Sequence, residues 1–147
     1  MDFDTTVKLE IYKTIAATTK PPTPATIAAV LQCSAQEVES AYQRLYQKRL
    51  LVLDPGTTSQ IRMAPPFSGI ETQHVTKIDG KSYYANCAWD AFGIAAALNS
   101  DADIESTCGD CGEPLSFQIK NSKPLPQECV IHFAVPAAQW WNDIVYT

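Results

Sequence analysis

The stretch Ile78-Asp79-Gly80-Lys81-Ser82-Tyr83-Tyr84-Ala85-Asn86-Cys87-Ala88-Trp89-Asp90-Ala91-Phe92 carries the chain's main change of structure and its densest chemistry. Asp79-Gly80 is a turn dipeptide, since glycine accepts backbone angles closed to other residues. Residues 74–78 before it read as a strand. Ser82 after it is a candidate helix cap. The small and apolar residues Ala85, Ala88, Ala91, Phe92, Ile94, Ala95 and Leu98 predict a largely buried helix over about 83–98. Helix positions i and i+3 share a face, so the Cys87 thiol and the Asp90 carboxylate are expected to converge. A thiolate is a nucleophile and a soft-metal ligand, and a nearby carboxyl can hold or deliver a proton. A purely structural reading also fits this spacing: a buried thiol beside a capping or solvated aspartate.

Outward from this stretch, residues 104–106, 115–119 and 130–135 read as strands, and Trp140-Trp141-Asn142-Asp143 starts a closing helix or turn. Upstream, Pro65-Pro66 marks a boundary. Val7, Ile11 and Ile15 set a helix over about 5–18, which Pro21-Pro22 stops. Thr23-Pro24 is a cap with proline at the first helical position, and Ser34 with Glu37 is a capping box for a third helix. Residues 50–53 and 61–63 flank the turn Asp54-Pro55-Gly56 as a hairpin. Three short helices and a hairpin make the winged helix-turn-helix pattern. The expected class is α+β, with a winged-helix-like module over 1–64 packed on a small mixed α/β domain over 65–147.

The 147 residues are 46% hydrophobic and 18% charged, a globular balance. The longest apolar run, 91–98, is too short to span a bilayer, and the first residues lack a secretory pattern. A cytoplasmic protein with no membrane partner is expected. The net charge of −5 argues against a general nucleic-acid binder. Residues 1–64 hold seven Lys/Arg against six Asp/Glu, and Glu37 and Glu39 lie at the end of the third helix usually presented to bases. Arg44, Lys48 and Arg49 are its only cations. The charges favour a packing module over a DNA reader.

Five cysteines, an odd number, do not suggest a disulfide framework in a reducing compartment. Cys108-Gly109-Asp110-Cys111-Gly112 is half of a zinc ribbon or a redox pair. No second such motif exists, so Cys87 or a partner chain would have to complete a site. His74 and His132 are isolated and read as surface or strand residues, and Cys33 and Cys129 as small packing residues.

Residues 78–92, with Ala102-Asp103-Ile104-Glu105-Ser106, Cys108 and Gly112-Glu113-Pro114-Leu115-Ser116-Phe117, resemble the signature of the organomercurial (alkylmercury) lyases. That family carries Cys-Ala-x-Asp, a short link, a strand, Cys-x-x-x-Gly-x-Pro and a further strand in this order, behind an N-terminal winged-helix-like domain. The resemblance implies a lyase-type domain that cleaves a carbon–mercury bond by protonolysis. Cys87 would bind mercury and Asp90 would move the thiol proton to the departing carbon. No cofactor is implied, mercury being substrate and product ion, and zinc is not called for. The implied partners are a small organometal substrate and low-molecular-weight thiols. The winged-helix module would not read DNA.

Two features depart from the family pattern. Its second catalytic cysteine follows the strand that 130–135 is expected to form, whereas Cys129 precedes it and no cysteine comes later. A shortened member without that cysteine is therefore expected. Cys111 is an additional thiol, and Cys108 or Cys111 is the candidate replacement, giving Cys87, Cys108 and Cys111 as the expected metal set. Rival readings are a non-catalytic soft-metal or thiol binder and a metal-responsive winged-helix regulator.

Overall fold

A computed structural model describes residues 1–145. Its first helix, α1 (Phe3–Thr18), starts where the Asp2 carboxylate accepts the Thr5 N–H at 3.1 Å. Val7, Ile11 and Ile15 form its buried stripe. Helix α2 (Pro24–Leu31) has Thr23 as its cap and proline at its first position. Helix α3 (Ala35–Gln47) opens on the reciprocal Ser34–Glu37 capping box and buries Val38, Ala41, Tyr42 and Leu45. Strands β1 (Val52–Leu53), β2 (Ile61–Ala64) and β3 (Phe67–Ser68) follow as a small antiparallel sheet in that order. Phe67-Ser68 thus continues the hairpin across Pro65-Pro66.

Five further strands make one antiparallel sheet: β4 (Val75–Ile78), β5 (Lys81–Tyr84), β6 (Ala102–Thr107), β7 (Pro114–Lys120) and β8 (Lys123–Leu125). Their order is β5-β4-β6-β7-β8. Strand β6 buries Ala102, Ile104 and Ser106 and exposes Asp103 and Glu105, so only one face of the sheet is covered. Helix α4 (Ala88–Ala97) covers it with Ala91, Ile94 and Ala95. The buried Thr76 hydroxyl donates to Ala91 O at 2.7 Å, and Phe92 meets Phe117 edge-on at 5.3 Å. The mixed α/β architecture follows the sequence reading.

Two elements differ from it. Residues 83–98 are not one helix, since Lys81–Tyr84 is strand β5 and α4 begins only at Ala88. Asp79 (φ 49°) and Gly80 (φ 77°) both take left-handed angles, the geometry of a two-residue hairpin loop, and this pairs Ile78 with Lys81 and Val75 with Tyr84. The local turn therefore outweighs the helical pattern of the alanines until the chain leaves the sheet at Ala85. Residues 130–135 are not a strand either. The edge beside β7 is taken by β8, and the apolar run 130–135 lines a cavity instead. The expected closing element is present as a short 3-10 helix, Ala137–Asn142.

Contacts join the N-terminal helices to the larger sheet. The Tyr83 hydroxyl donates to Ala16 O at 2.7 Å, and the Tyr12 hydroxyl to Pro65 O at 2.8 Å. Phe67 lies between these rings, 6.1 Å from Tyr12 and 5.7 Å from Tyr83. On α3, Arg44 and Lys48 both reach the buried Asp4 carboxylate, at 2.7 and 3.0 Å. Two of the three cations available to a DNA-reading helix are thereby engaged within the protein. Among the described residues no helix is long and apolar enough to cross a membrane.

Candidate active site

Cys87 is the residue at which the chain changes from sheet to helix. Its backbone is extended (φ −152°, ψ 178°), and it occupies the N-cap of α4. The expectation that Cys87 and Asp90 meet on a helix face is corrected in its reason, because Cys87 precedes the helix. Cap geometry brings the two together instead. No side-chain cap hydrogen bond forms at Cys87, whose sulfur has the backbone N–H groups of Asp90 and Trp89 as its neighbours at the helix start. Burial pushes the Cys87 thiol up, the two N–H groups oppose this, and the Asp90 charge adds to the rise. The resting sulfur is a half-buried thiol.

Asp90 stands in the first turn of α4, and burial pushes its carboxyl up as well. The Asn86 amide opposes that shift, donating to Asp90 Oδ2 at 2.9 Å. The same amide donates to Pro66 O and Phe67 O at 3.3 and 3.4 Å, tying the carboxylate's support to the loop before β3. Asn86 Oδ1 is buried without a partner. A carboxyl that protonates readily therefore stands beside a thiol that must lose its proton to bind a metal.

A cavity of about 1210 Å³ opens beside this pair, lined by Cys87 but not by Asp90. One wall is the face of α4 bearing Cys87, Trp89 and Phe92, another is the inner face of β6 and β7, and the segment 122–135 with Trp140 forms the third. Phe133 bridges Trp89 and Trp140, with ring centroids 6.2 and 5.2 Å apart. Three thiols line the cavity: Cys87, Cys108 and Cys129. Cys111 does not line it and is exposed. Among the described residues no three of His, Cys, Asp and Glu converge as a metal cluster, and of the expected set Cys87 and Cys108 line the cavity while Cys111 stands outside it.

The sequence places Cys129 before an expected strand, out of position for the family's second cysteine. The segment has no strand, and Cys129 faces the same space as Cys87. His74 and His132, read as surface or strand residues, also line the cavity. His74 Nδ1 lies 2.7 Å from the Ser106 hydroxyl, and burial pushes its imidazole down, towards the neutral form. The signal that marks Cys129 and His132 is their place in an apolar run that ends at Pro136, where the chain turns back over the cavity.

The family model described as alkylmercury lyase matches residues 67–147, more than half of the chain. This chain belongs to the alkylmercury lyase family. Two curated alkylmercury lyases, from Bacillus cereus and Clostridium butyricum, are each 31% identical to it over 70 residues. That match covers 46% of this chain and 32% of either relative, so it spans about a third of the curated lyases' length. A crystal structure described as the mercury-bound form of MerB2 superposes on 86% of this chain and 62% of its own, with TM-score 0.68 and 23% identity. The alkylmercury lyase fold is thus shared well beyond the segment matched in sequence.

Proposed function

We propose that this member of the family binds an organomercurial at the Cys87 sulfur and cleaves its carbon–mercury bond by protonolysis. The observation that carries this reading is the half-buried Cys87 at the start of α4, with Asp90 in the first turn of that helix and a second thiol, Cys129, on the cavity that Cys87 lines. Mercury binding displaces the Cys87 proton, because a soft cation outcompetes a proton for a thiolate. Asp90 takes that proton, its half-buried carboxyl being the better acceptor for having a raised pKa. The Cys129 thiol then passes its proton to the ligand that mercury brought, which leaves as its conjugate acid, and the Cys129 thiolate donates a second pair of electrons to mercury. The carbon–mercury bond breaks with its electron pair on carbon, and Asp90 delivers the proton there. Hydrocarbon leaves, and mercury stays divalent on two thiolates until low-molecular-weight thiols displace it. No resident cofactor takes part.

The N-terminal part, proposed as a winged-helix-like module over 1–64 beside a lyase-type domain over 65–147, acts in this reading as a buttress. Its contacts run to the segment holding the site, through Tyr12 and Tyr83, and Asp4 engages the cations a regulator would need.

The test is a single-turnover assay with phenylmercury and excess thiol. The unaltered chain is expected to release benzene. Cys87→Ser should abolish release, and Asp90→Asn should slow it at least about hundredfold while mercury still binds. Mercury retained with no hydrocarbon from the unaltered chain would make the protein a soft-metal binder and overturn the lyase reading.

A further inference from the structure

The motif that this mechanism leaves unused is Cys108-Gly109-Asp110-Cys111-Gly112, in the connection from β6 to β7. The connection is a tight, self-bonded turn. Cys108 N–H donates to Glu113 O at 2.9 Å, Gly112 N–H donates to Cys108 O at 3.0 Å, and Gly112 takes φ 75°, which favours glycine. Inside the turn the backbone N–H groups of Cys111 and Asp110 and the Cys111 side chain are the neighbours that act on the Cys108 thiol. These groups, Cys111 N–H foremost, hold the Cys108 thiol below its ordinary range, against the nearby Asp110 charge. Cys108 lines the cavity, whereas Cys111 faces solvent.

We propose that Cys108 and Cys111 form a second, two-thiolate binding site for divalent mercury at the rim of the cavity, separate from the Cys87 centre. The turn that the Gly112 N–H closes onto Cys108 O holds both thiols on one short loop, arranged to share a single cation. The donor count then selects the metal. A structural zinc ion asks for four ligands, and among the described residues no third His, Cys, Asp or Glu joins the pair. Divalent mercury is satisfied by two thiolates in a line, and thiolates select soft metals. Binding is an exchange without redox change. Two thiol protons leave Cys108 and Cys111, two sulfur–mercury bonds form, and the two ligands that mercury brought depart with those protons. With one sulfur on the cavity and the other in solvent, the pair lies on the way out for an ion released inside. That cargo rests on the lyase reading; the dithiol's affinity for the metal does not.

The probe is mercury(II) chloride, added to the reduced full chain and then challenged with excess monothiol, which strips singly held metal but not a chelated ion. The unaltered chain should keep about two mercury ions, and Cys111→Ser, an exposed substitution, about one. In a Cys87→Ser/Cys129→Ser background about one ion should remain, with Cys108 and Cys111 protected from a thiol reagent. Equal retention with and without Cys111 overturns the inference, as does loss of all chelated metal from a folded Cys87→Ser/Cys129→Ser chain. Benzene release by the unaltered chain is scored separately. Its absence sinks the lyase reading and leaves the metal count of the dithiol standing.

Discussion

At the scale of single residues, Asp90 has a consequence for stability as well as for proton transfer. Its carboxyl is raised above the ordinary 3.8, first by burial, and only partly relieved by Asn86. A folded state with a raised carboxyl binds more protons than the unfolded chain between the two pKa values. Stability from this group is therefore complete below about pH 3.8 and is lost as pH rises through the folded pKa. At neutral pH the charged, half-buried Asp90 costs stability, so Asp90→Asn should raise the melting temperature by on the order of a few degrees. That gain should fade as pH falls towards 4, and thermal melts of both proteins across that range check it. A gain equally large at low pH would place its origin elsewhere. The residue types were legible in the sequence, since Cys87 and Asp90 stand three apart beside small residues. Their geometry was not. Spacing suggests a shared helix face, but Cys87 caps the helix with extended backbone, and only the hairpin before it decides that.

The elements show where local signals decide structure and where they run out. Thr23-Pro24 and Ser34–Glu37 fixed their helix starts because a cap is made by residues three apart. Strand β5 is ambiguous in sequence because Tyr83, Tyr84 and the alanines after them suit a buried helix as well as a strand, and the partner strand resolves the tie. Residues 130–135 differ for the opposite reason: they have a strand's composition, but β8 holds the edge beside β7. Short β3 has little sequence pattern of its own, yet the loop after it is tightly constrained. A Cβ on Gly69 would press into the Ile61 carbonyl oxygen, and would lie 3.1 Å from both Arg62 O and Pro21 Cγ. Gly69 N–H also donates to Arg62 O at 2.7 Å, so the loop cannot swing away without losing that bond. Gly69→Ala should therefore destabilise the fold by about 2 kcal/mol or more. Urea titrations should show a lower midpoint with an unchanged slope. Gly80→Ala is the contrasting case, because nothing lies within 4 Å of its added Cβ. Its cost is the left-handed backbone alone, about 1 kcal/mol.

Across the whole molecule, the buried side chains form one connected core, from Val7, Ile11 and Ile15 through Phe67 to Ile94, Ile104 and Phe117. Phe67 is the joint, meeting Tyr12 of α1 on one side and Tyr83 of β5 on the other. Asn86 donates to the carbonyls of Pro66 and Phe67 and to Asp90, so the same joint reaches the candidate site. A core continuous in this way predicts that the helical N-terminal part and the lyase-type part unfold together. The chain reports each part by a different signal. All three tryptophans, Trp89, Trp140 and Trp141, lie in the second part, while α1, α2 and α3 supply most of the helix. Tryptophan fluorescence and far-ultraviolet circular dichroism should therefore give one coincident denaturation curve. Tyr83→Phe leaves the Ala16 carbonyl without its hydroxyl donor at 2.7 Å, with only Lys81 Nζ at 3.3 Å nearby. This should cost about 1 kcal/mol. If the parts are coupled, that loss moves both curves by the same amount, although the substitution touches α1 through a single hydrogen bond. A shift confined to one probe, or two separated transitions, would show that the halves fold independently, and the N-terminal helices could not then act as a buttress for Cys87 and Asp90.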